Sequence, residues 1–171
     1  LLASFTALSM SSQAHQMSER ERIQSHLTLV EQLLRERPVT ELSEAQKTNR
    51  IKGLDVLKSY IEQAVFPVNT HHKGERHPYF IDHSGIPCAV GQIMLEVNGR
   101  DLALKIAATQ NYKYLDEMEG DEILAWVQQS GFSFDELRLV QPSYSYESRY
   151  SDPILEAAYL VDKGEFSKLL S

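Results

Sequence analysis

The chain has 171 residues, of which 42% are hydrophobic and 24% are charged. These values are typical of a globular domain and indicate neither an intrinsically disordered chain nor a bundle of membrane-spanning helices. The formal charge of −7 argues against nucleic acid as the main partner, because binding to phosphates needs a basic surface.

The first residues predict export. Residues 1–8 are uncharged and mostly apolar, and Ser12-Gln13-Ala14 has the small-x-small pattern of a signal-peptidase site. We interpret residues 1–14 as the remainder of a signal peptide and residues 15–171 as a single helical domain, which predicts an extracytoplasmic protein, periplasmic or secreted. The alternatives are a hydrophobic helix N-terminus and a membrane anchor whose beginning is missing. No integral membrane span is visible in the chain, because a span needs about 20 apolar residues.

Two amphipathic helices are predicted next. Ser18 and Glu21 have the spacing of a capping box, and the first helix should end before Pro38. Thr40 or Ser43 can cap the second helix. The short link between them favours an antiparallel pair. The apolar stripe predicted for the second helix is Ile51, Leu54, Leu57, Ile61 and Val65.

Residues 67–90 are predicted to form a loop and a small β-hairpin. The run from Tyr79 to Ile81 is rich in β-forming residues, and Asp82 and Gly85 occupy the first and fourth positions of a type I turn. Pro87 should be an early residue of a third helix. We therefore expect a hairpin at residues 79–90 that packs on the helices.

The rest of the chain predicts helices at residues 101–110, from Asp121 to Gly131, and from a capping box at Ser133 and Glu136. The predicted fifth helix carries Ile123, Leu124, Trp126 and Val127, and Trp126, like Met94, is expected to pack in the core. Residues 142–151 form a polar linker rich in Tyr and Ser, and a last helix follows. The predicted fold is all-α, with six or seven helices in one compact domain and the small β-hairpin near residues 79–90.

Cys88 is the single cysteine, so the chain can form no disulfide within itself. The predicted position in the first helical turn would lower the pKa of the thiol. One hypothesis is therefore a thiol-dependent enzyme, a hydrolase or transferase, with Cys88 as nucleophile and His77 or His83 as base. The alternative is a small buried hydrophobic residue, because free cysteine is among the most buried residue types.

Four histidines lie within residues 71–83, and Asp82 adds a carboxylate. They suggest a hypothesis of metal or cofactor binding, although their spacing differs from that of the usual structural zinc sites. The alternative is a solvated polar loop, and no particular cofactor is predicted. The candidate metal ligands are His71, His72, His77 and His83.

Tyrosines in the connecting segments suggest a contact surface. Such side chains either seal the edge of a core or bind a partner. Our first functional hypothesis is an extracytoplasmic accessory or interaction protein with a protein partner. The candidate contact residues are Tyr79, Asp82, Tyr112, Tyr114 and Tyr144.

Four motifs together resemble those of a group of uncharacterised exported bacterial proteins. The resemblance covers about residues 77–146. It implies export and a shared fold, and it assigns no catalytic residue. The motifs are Phe80-x-Asp82-x-x-Gly85-x-x-Cys88-Ala89-Val90-Gly91, Ala107-x-x-x-Asn111-Tyr112-x-Tyr114, Leu124-x-Trp126 with Ser130-Gly131, and Glu136-Leu137 with Val140-Gln141-Pro142-Ser143-Tyr144.

Overall fold

A computed structural model describes residues 18–70 and 77–141. In these ranges the protein is all-helical. The six α-helices are α1 (Glu19–Glu36), α2 (Glu44–Gln63), α3 (Ala89–Glu96), α4 (Arg100–Thr109), α5 (Asp121–Ser130) and α6 (Phe134–Val140), and a 3₁₀ turn covers Leu115–Glu117. The predicted signal peptide, the linker at 142–151 and the last helix lie outside the described residues.

Capping boxes start three of the helices. Ser18, Ser43 and Ser133 each accept a hydrogen bond from the backbone N–H three residues later, and the side chain at that later position accepts one in return. Each box satisfies N–H groups that the first helical turn leaves without an intrahelical partner. The predicted starts of these three helices are therefore confirmed.

α1 and α2 are antiparallel. Gln24, near the start of α1, donates to the carbonyl of Ile61 near the end of α2. Arg35, near the end of α1, pairs with Asp55 nearer the start of α2. The short α3 then packs against α2, α4 and α6. Residues from all six helices contribute to one hydrophobic core, which includes Met94 and Trp126 as expected.

The apolar stripe predicted for α2 is confirmed at Leu54, Leu57 and Ile61, which are buried. Ile51 and Val65, at its two ends, are instead 57% and 49% exposed. The buried face of α2 also includes Arg50 and Gly53, on either side of Ile51 in the sequence. Hydrophobicity alone could not place Arg50 on this face, because an arginine occupies a buried position only when other groups neutralise it.

A buried ion pair joins α2 to α6. The Nη1 and Nη2 atoms of Arg50 donate to the two carboxylate oxygens of Glu136, at 2.7 and 2.9 Å. The same guanidinium donates to the carbonyls of Leu34 and Gly131 and lies over the ring of Phe132. Both charged side chains are at most 5% exposed. The ion pair between Arg50 and Glu136 was not predicted from the sequence.

The predicted β-hairpin is not formed in the described ranges. The segment makes a single antiparallel bridge between Ile81 and Pro87. Two backbone hydrogen bonds flank this pair, from Asp82 N–H to the Ile86 carbonyl and from Cys88 N–H to the Phe80 carbonyl. The pairing stops there because the chain enters α3 at Ala89. Pro87 also lies just before the helix instead of within it, because Cys88 is the N-cap of α3.

Candidate functional site

The segment Phe80–Gly91, here called the motif loop, is organised around the carboxylate of Asp82. Oδ1 accepts hydrogen bonds from the backbone N–H groups of Ser84 and Ile86 at 2.8 and 2.9 Å. Oδ2 accepts one from the N–H of Val68 at 3.0 Å. The turn closes with Gly85 N–H donating to the Asp82 carbonyl, at a φ of +79° that favours glycine.

These contacts set the charge state of Asp82. Burial by itself would raise the pKa of the carboxyl, since it disfavours the charged form. The N–H groups of Val68, Ile86 and Ser84, with a smaller contribution from His83, together outweigh burial and hold the pKa below its usual value. Asp82 was predicted to contact a partner. It is only 6% exposed, and its carboxylate holds the loop backbone.

Asn111 holds the opposite side of the motif loop. Its Oδ1 accepts from the N–H of Ile81 and its Nδ2 donates to the carbonyl of Ile81, both at 2.9 Å. Its own carbonyl accepts from the N–H of Phe80, also at 2.9 Å. Asn111 thus makes hydrogen bonds to Phe80 and Ile81 like those that a neighbouring strand would make. The role of Asn111 was not predicted. Its position beside Tyr112 in the second motif was the one feature of the sequence that could have pointed to it.

Cys88 is a buried helix cap. Its Sγ accepts from the N–H of Gly91 at 3.4 Å, and the residue is 8% exposed. Burial raises the pKa of the thiol to about 11, against the lowering effect of the N–H groups of Gly91 and Val90. The expected lowering of this pKa is therefore wrong. A thiol protonated at neutral pH is a poor nucleophile, so the chemistry of the site argues against the enzyme hypothesis.

The two candidate bases lie in different surroundings. His83 is exposed on the turn, where its Nε2 lies 3.4 Å from the Ser84 hydroxyl. The half-buried His77 packs its ring against Tyr112, with ring centroids 5.9 Å apart. Neither ring lines the small apolar crevice beside Cys88, whose lining includes Tyr60, Phe66 and Tyr79.

The metal hypothesis concerns residues on both sides of a gap in the described ranges. Across 18–70 and 77–141, no three His, Cys, Asp or Glu side chains come together in a way that could hold a metal ion. His71 and His72 lie outside the described residues. Metal binding by the four histidines stays a prediction.

The tyrosines are distributed between the core and the surface. Tyr79 is 5% exposed and meets Tyr112 edge-to-face at a centroid distance of 5.0 Å, whereas Tyr112 itself is 47% exposed. Tyr114 is partly buried, and burial followed by the charges of Glu117 and Asp116 raises its pKa. The buried ring of Tyr79 thus packs against the ring of the exposed Tyr112. Tyr144 lies outside the described residues.

Exposed hydrophobic residues flank the motif loop. Of the six large hydrophobic residues that are exposed in the described ranges, Val68 and Tyr112 lie in segments that hydrogen-bond to it, and Val65 lies three residues before Val68. Val68 is joined to it through Asp82, and Tyr112 follows the asparagine that holds Ile81. We call Val65, Val68 and Tyr112 the loop surface.

No helix in the described ranges is long and apolar enough to cross a bilayer. Comparison of the whole chain with protein-family models, curated proteins and solved structures finds no match.

Proposed function

We propose that the protein is an exported, non-enzymatic binding protein that recognises a protein partner with the loop surface. The observation that carries the proposal is the exposure of Val65, Val68 and Tyr112, at 49%, 58% and 47%, beside the most distinctive stretch of the sequence. A partner that covered these side chains would bury their apolar surface, which favours association.

The polar groups of the motif loop support a scaffolding role for that segment. The Asp82 carboxylate is occupied by three backbone N–H groups, and the Asn111 side chain is occupied by Ile81. Both side chains bind backbone, so their effect is to fix the loop's shape. A fixed loop lowers the entropy cost of binding, since less conformational freedom remains to be lost.

Tyr112 has the properties of a binding anchor. Tyrosine is enriched among the residues that carry most of the binding energy in protein interfaces, because its ring offers a large contact area with few rotatable bonds. The edge-to-face contact with Tyr79 and the contact with His77 restrict its ring before a partner arrives. We therefore place Tyr112 at the centre of the interface.

Export is proposed from the sequence. The apolar residues 1–8 followed by Ser12-Gln13-Ala14 fit the end of a signal peptide. The single cysteine is compatible with an oxidising compartment, because its thiol is buried in the native protein.

Photo-crosslinking in the native host tests the proposal. The photoreactive residue p-benzoylphenylalanine would replace Tyr112 in one variant and Leu124, which is 60% exposed on α5, in the control. We expect a discrete adduct with one extracytoplasmic protein from position 112 and none from position 124. Equal adducts from both positions, or none from position 112, would contradict the proposal.

An affinity measurement with the captured protein gives the energetic test. Tyr112→Ala should weaken binding by about 30-fold, as expected for an anchor worth about 2 kcal/mol. Leu104→Ala is the matched control, because Leu104 is 53% exposed and lies on α4. Urea unfolding of both variants measures any change in stability, since Tyr112 also contacts Tyr79 and His77. A loss of affinity that exceeds this change reports the surface itself.

A further inference from the structure

Asn98 and Gly99 form the corner between α3 and α4. Val97 is the C-cap of α3, Asn98 follows it in a left-handed conformation with a φ of +56°, and Gly99 is the N-cap of α4. The N–H of Gly99 donates to the carbonyl of Met94, five residues earlier, at 3.0 Å. A left-handed residue followed by this bond is the Schellman ending of a helix, in which the left-handed residue is usually glycine and sometimes asparagine.

The residue after Asn98 has no room for a side chain. A Cβ added to Gly99 would lie 2.6 Å from Cγ of Met94 and 2.7 Å from Nε1 of Trp126. Met94 and Trp126 are both buried, and Nε1 of Trp126 donates to the carbonyl of Val97 at 2.7 Å. Neither side chain can move aside without repacking the core. The fold therefore places an asparagine directly before a glycine.

An asparagine followed by glycine is chemically labile. The backbone nitrogen of Gly99, once it has lost its proton, can attack Cγ of the Asn98 side chain. The new N–Cγ bond closes a succinimide ring, the Cγ–Nδ2 bond breaks, and ammonia leaves with a proton gained from water or buffer. Water then opens the ring to give aspartate or isoaspartate. Glycine in the second position favours the attack, because no Cβ hinders the approach of its nitrogen.

The folded corner restrains this reaction at the nitrogen. Asn98 is exposed, so water reaches its side chain, whereas Gly99 is buried and its N–H is bonded to the Met94 carbonyl. The Asn98 side chain is also held, because its Nδ2 donates to Oδ1 of Asn49 on α2 at 3.4 Å. The nitrogen must leave its hydrogen bond before it can react, so the reaction needs a local opening of the corner.

We propose that Asn98 is a site of spontaneous deamidation whose rate is set by opening of the corner between α3 and α4. The reaction is slow in the folded protein and fast in an opened chain. Isoaspartate adds one methylene to the main chain, so the bond from Gly99 to Met94 cannot re-form with the same geometry. The corner contributes no residue to the loop surface, and the modification is therefore independent of the proposed function.

Peptide mapping by mass spectrometry tests the proposal. The full chain would be held at pH 8, folded in one sample and unfolded in guanidinium chloride in the other, and aspartate and isoaspartate at position 98 would be followed over time. We expect the folded chain to react at least about tenfold more slowly than the unfolded chain. Asn111, which precedes the bulky Tyr112, is the control within the same chain and should react slowly in both samples.

Two variants distinguish opening of the corner from unfolding of the whole protein. Trp126→Phe removes the hydrogen bond to the Val97 carbonyl and should speed the reaction at Asn98 in the folded chain by about fivefold. Asp82→Asn weakens the motif loop instead and should leave the rate unchanged, with urea unfolding measuring the stability of both variants. Equal acceleration by the two variants would overturn the proposal, because global unfolding would then set the rate. Equal rates in folded and unfolded wild type, or no product at position 98 in the unfolded chain, would also overturn it.

Discussion

Two regions of the protein bury charged groups, and they neutralise them in different ways. In the motif loop, the Asp82 carboxylate is held by N–H groups of Val68, Ser84 and Ile86, within 14 residues along the chain. Between α2 and α6, Arg50 is held by Glu136, which lies 86 residues away. The first site depends on the local path of the backbone, and the second depends on how two helices are placed.

The difference shows what each region contributes. Backbone N–H groups carry only partial charges, so the Asp82 site keeps a full negative charge and fixes the shape of one loop. The Arg50 site pairs two full charges and joins separate parts of the core. Removal of Arg50 leaves the buried Glu136 with only the partly exposed Arg37 as a cationic partner, whereas removal of Asp82 leaves neutral donors.

Arg50→Met should give the largest loss of stability. We expect the free energy of unfolding to fall by about 3–5 kcal/mol, because the carbonyls of Leu34 and Gly131 would lose their donor and Glu136 would keep only the partly exposed Arg37 as a cationic partner. Urea denaturation would measure it. Lys105→Met is the matched control, since Lys105 and its partner Glu122 are 61% and 65% exposed, and should cost at most about 1 kcal/mol. Equal losses would contradict the contrast between the buried pair and a surface pair.

Asp82→Ala should cost about 3 kcal/mol, because three backbone N–H groups lose a charged acceptor. Asp82→Asn should cost less, since an amide oxygen still accepts from part of the cradle. Asp55→Ala, which removes a carboxylate that is 64% exposed, is the control and should change stability by less than about 1 kcal/mol. A neutral effect of Asp82→Ala would show that the loop does not depend on its carboxylate.

The pH dependence of unfolding should show the smallest effect. The pKa of Asp82 is lowered in the folded protein, so the unfolded chain binds a proton more readily. The stabilisation from Asp82 is therefore complete above the unfolded pKa of about 3.9 and is lost as the pH falls through the folded value. Urea unfolding of wild type and Asp82→Asn between pH 7 and pH 3 measures the difference, which should shrink at the acid end. A constant difference would contradict the assigned charge state.

The same contrast explains which features could be predicted from the sequence. The capping boxes at Ser18, Ser43 and Ser133 lie within four consecutive residues, so their hydrogen bonds can be inferred from spacing. The turn at Asp82 and Gly85 could be inferred in the same way. The all-helical architecture of the described ranges follows from such local signals and from helical periodicity.

Errors arose where a residue's partner is distant in the chain. Arg50 was overlooked because Glu136 and the carbonyls that complete its site come from other elements. Ile51 was placed in the core because periodicity does not show which face of α2 meets α5. The hairpin was expected because local β-propensity does not show that the second limb passes into α3 directly after Cys88.

Cys88 most clearly separates what could be predicted from neighbouring residues from what depends on tertiary packing. Its place at the start of a helix could be inferred from Pro87 and the apolar run that follows, and that position alone predicts a lowered thiol pKa. In the folded protein the pKa is raised instead, because the surrounding core removes the sulfur from water, and it reaches about 11. The helices, their caps and the turn could be predicted because they depend on neighbours in the chain. The burial of each group, and with it the chemistry of the site, depends on contacts between distant elements and could not be predicted.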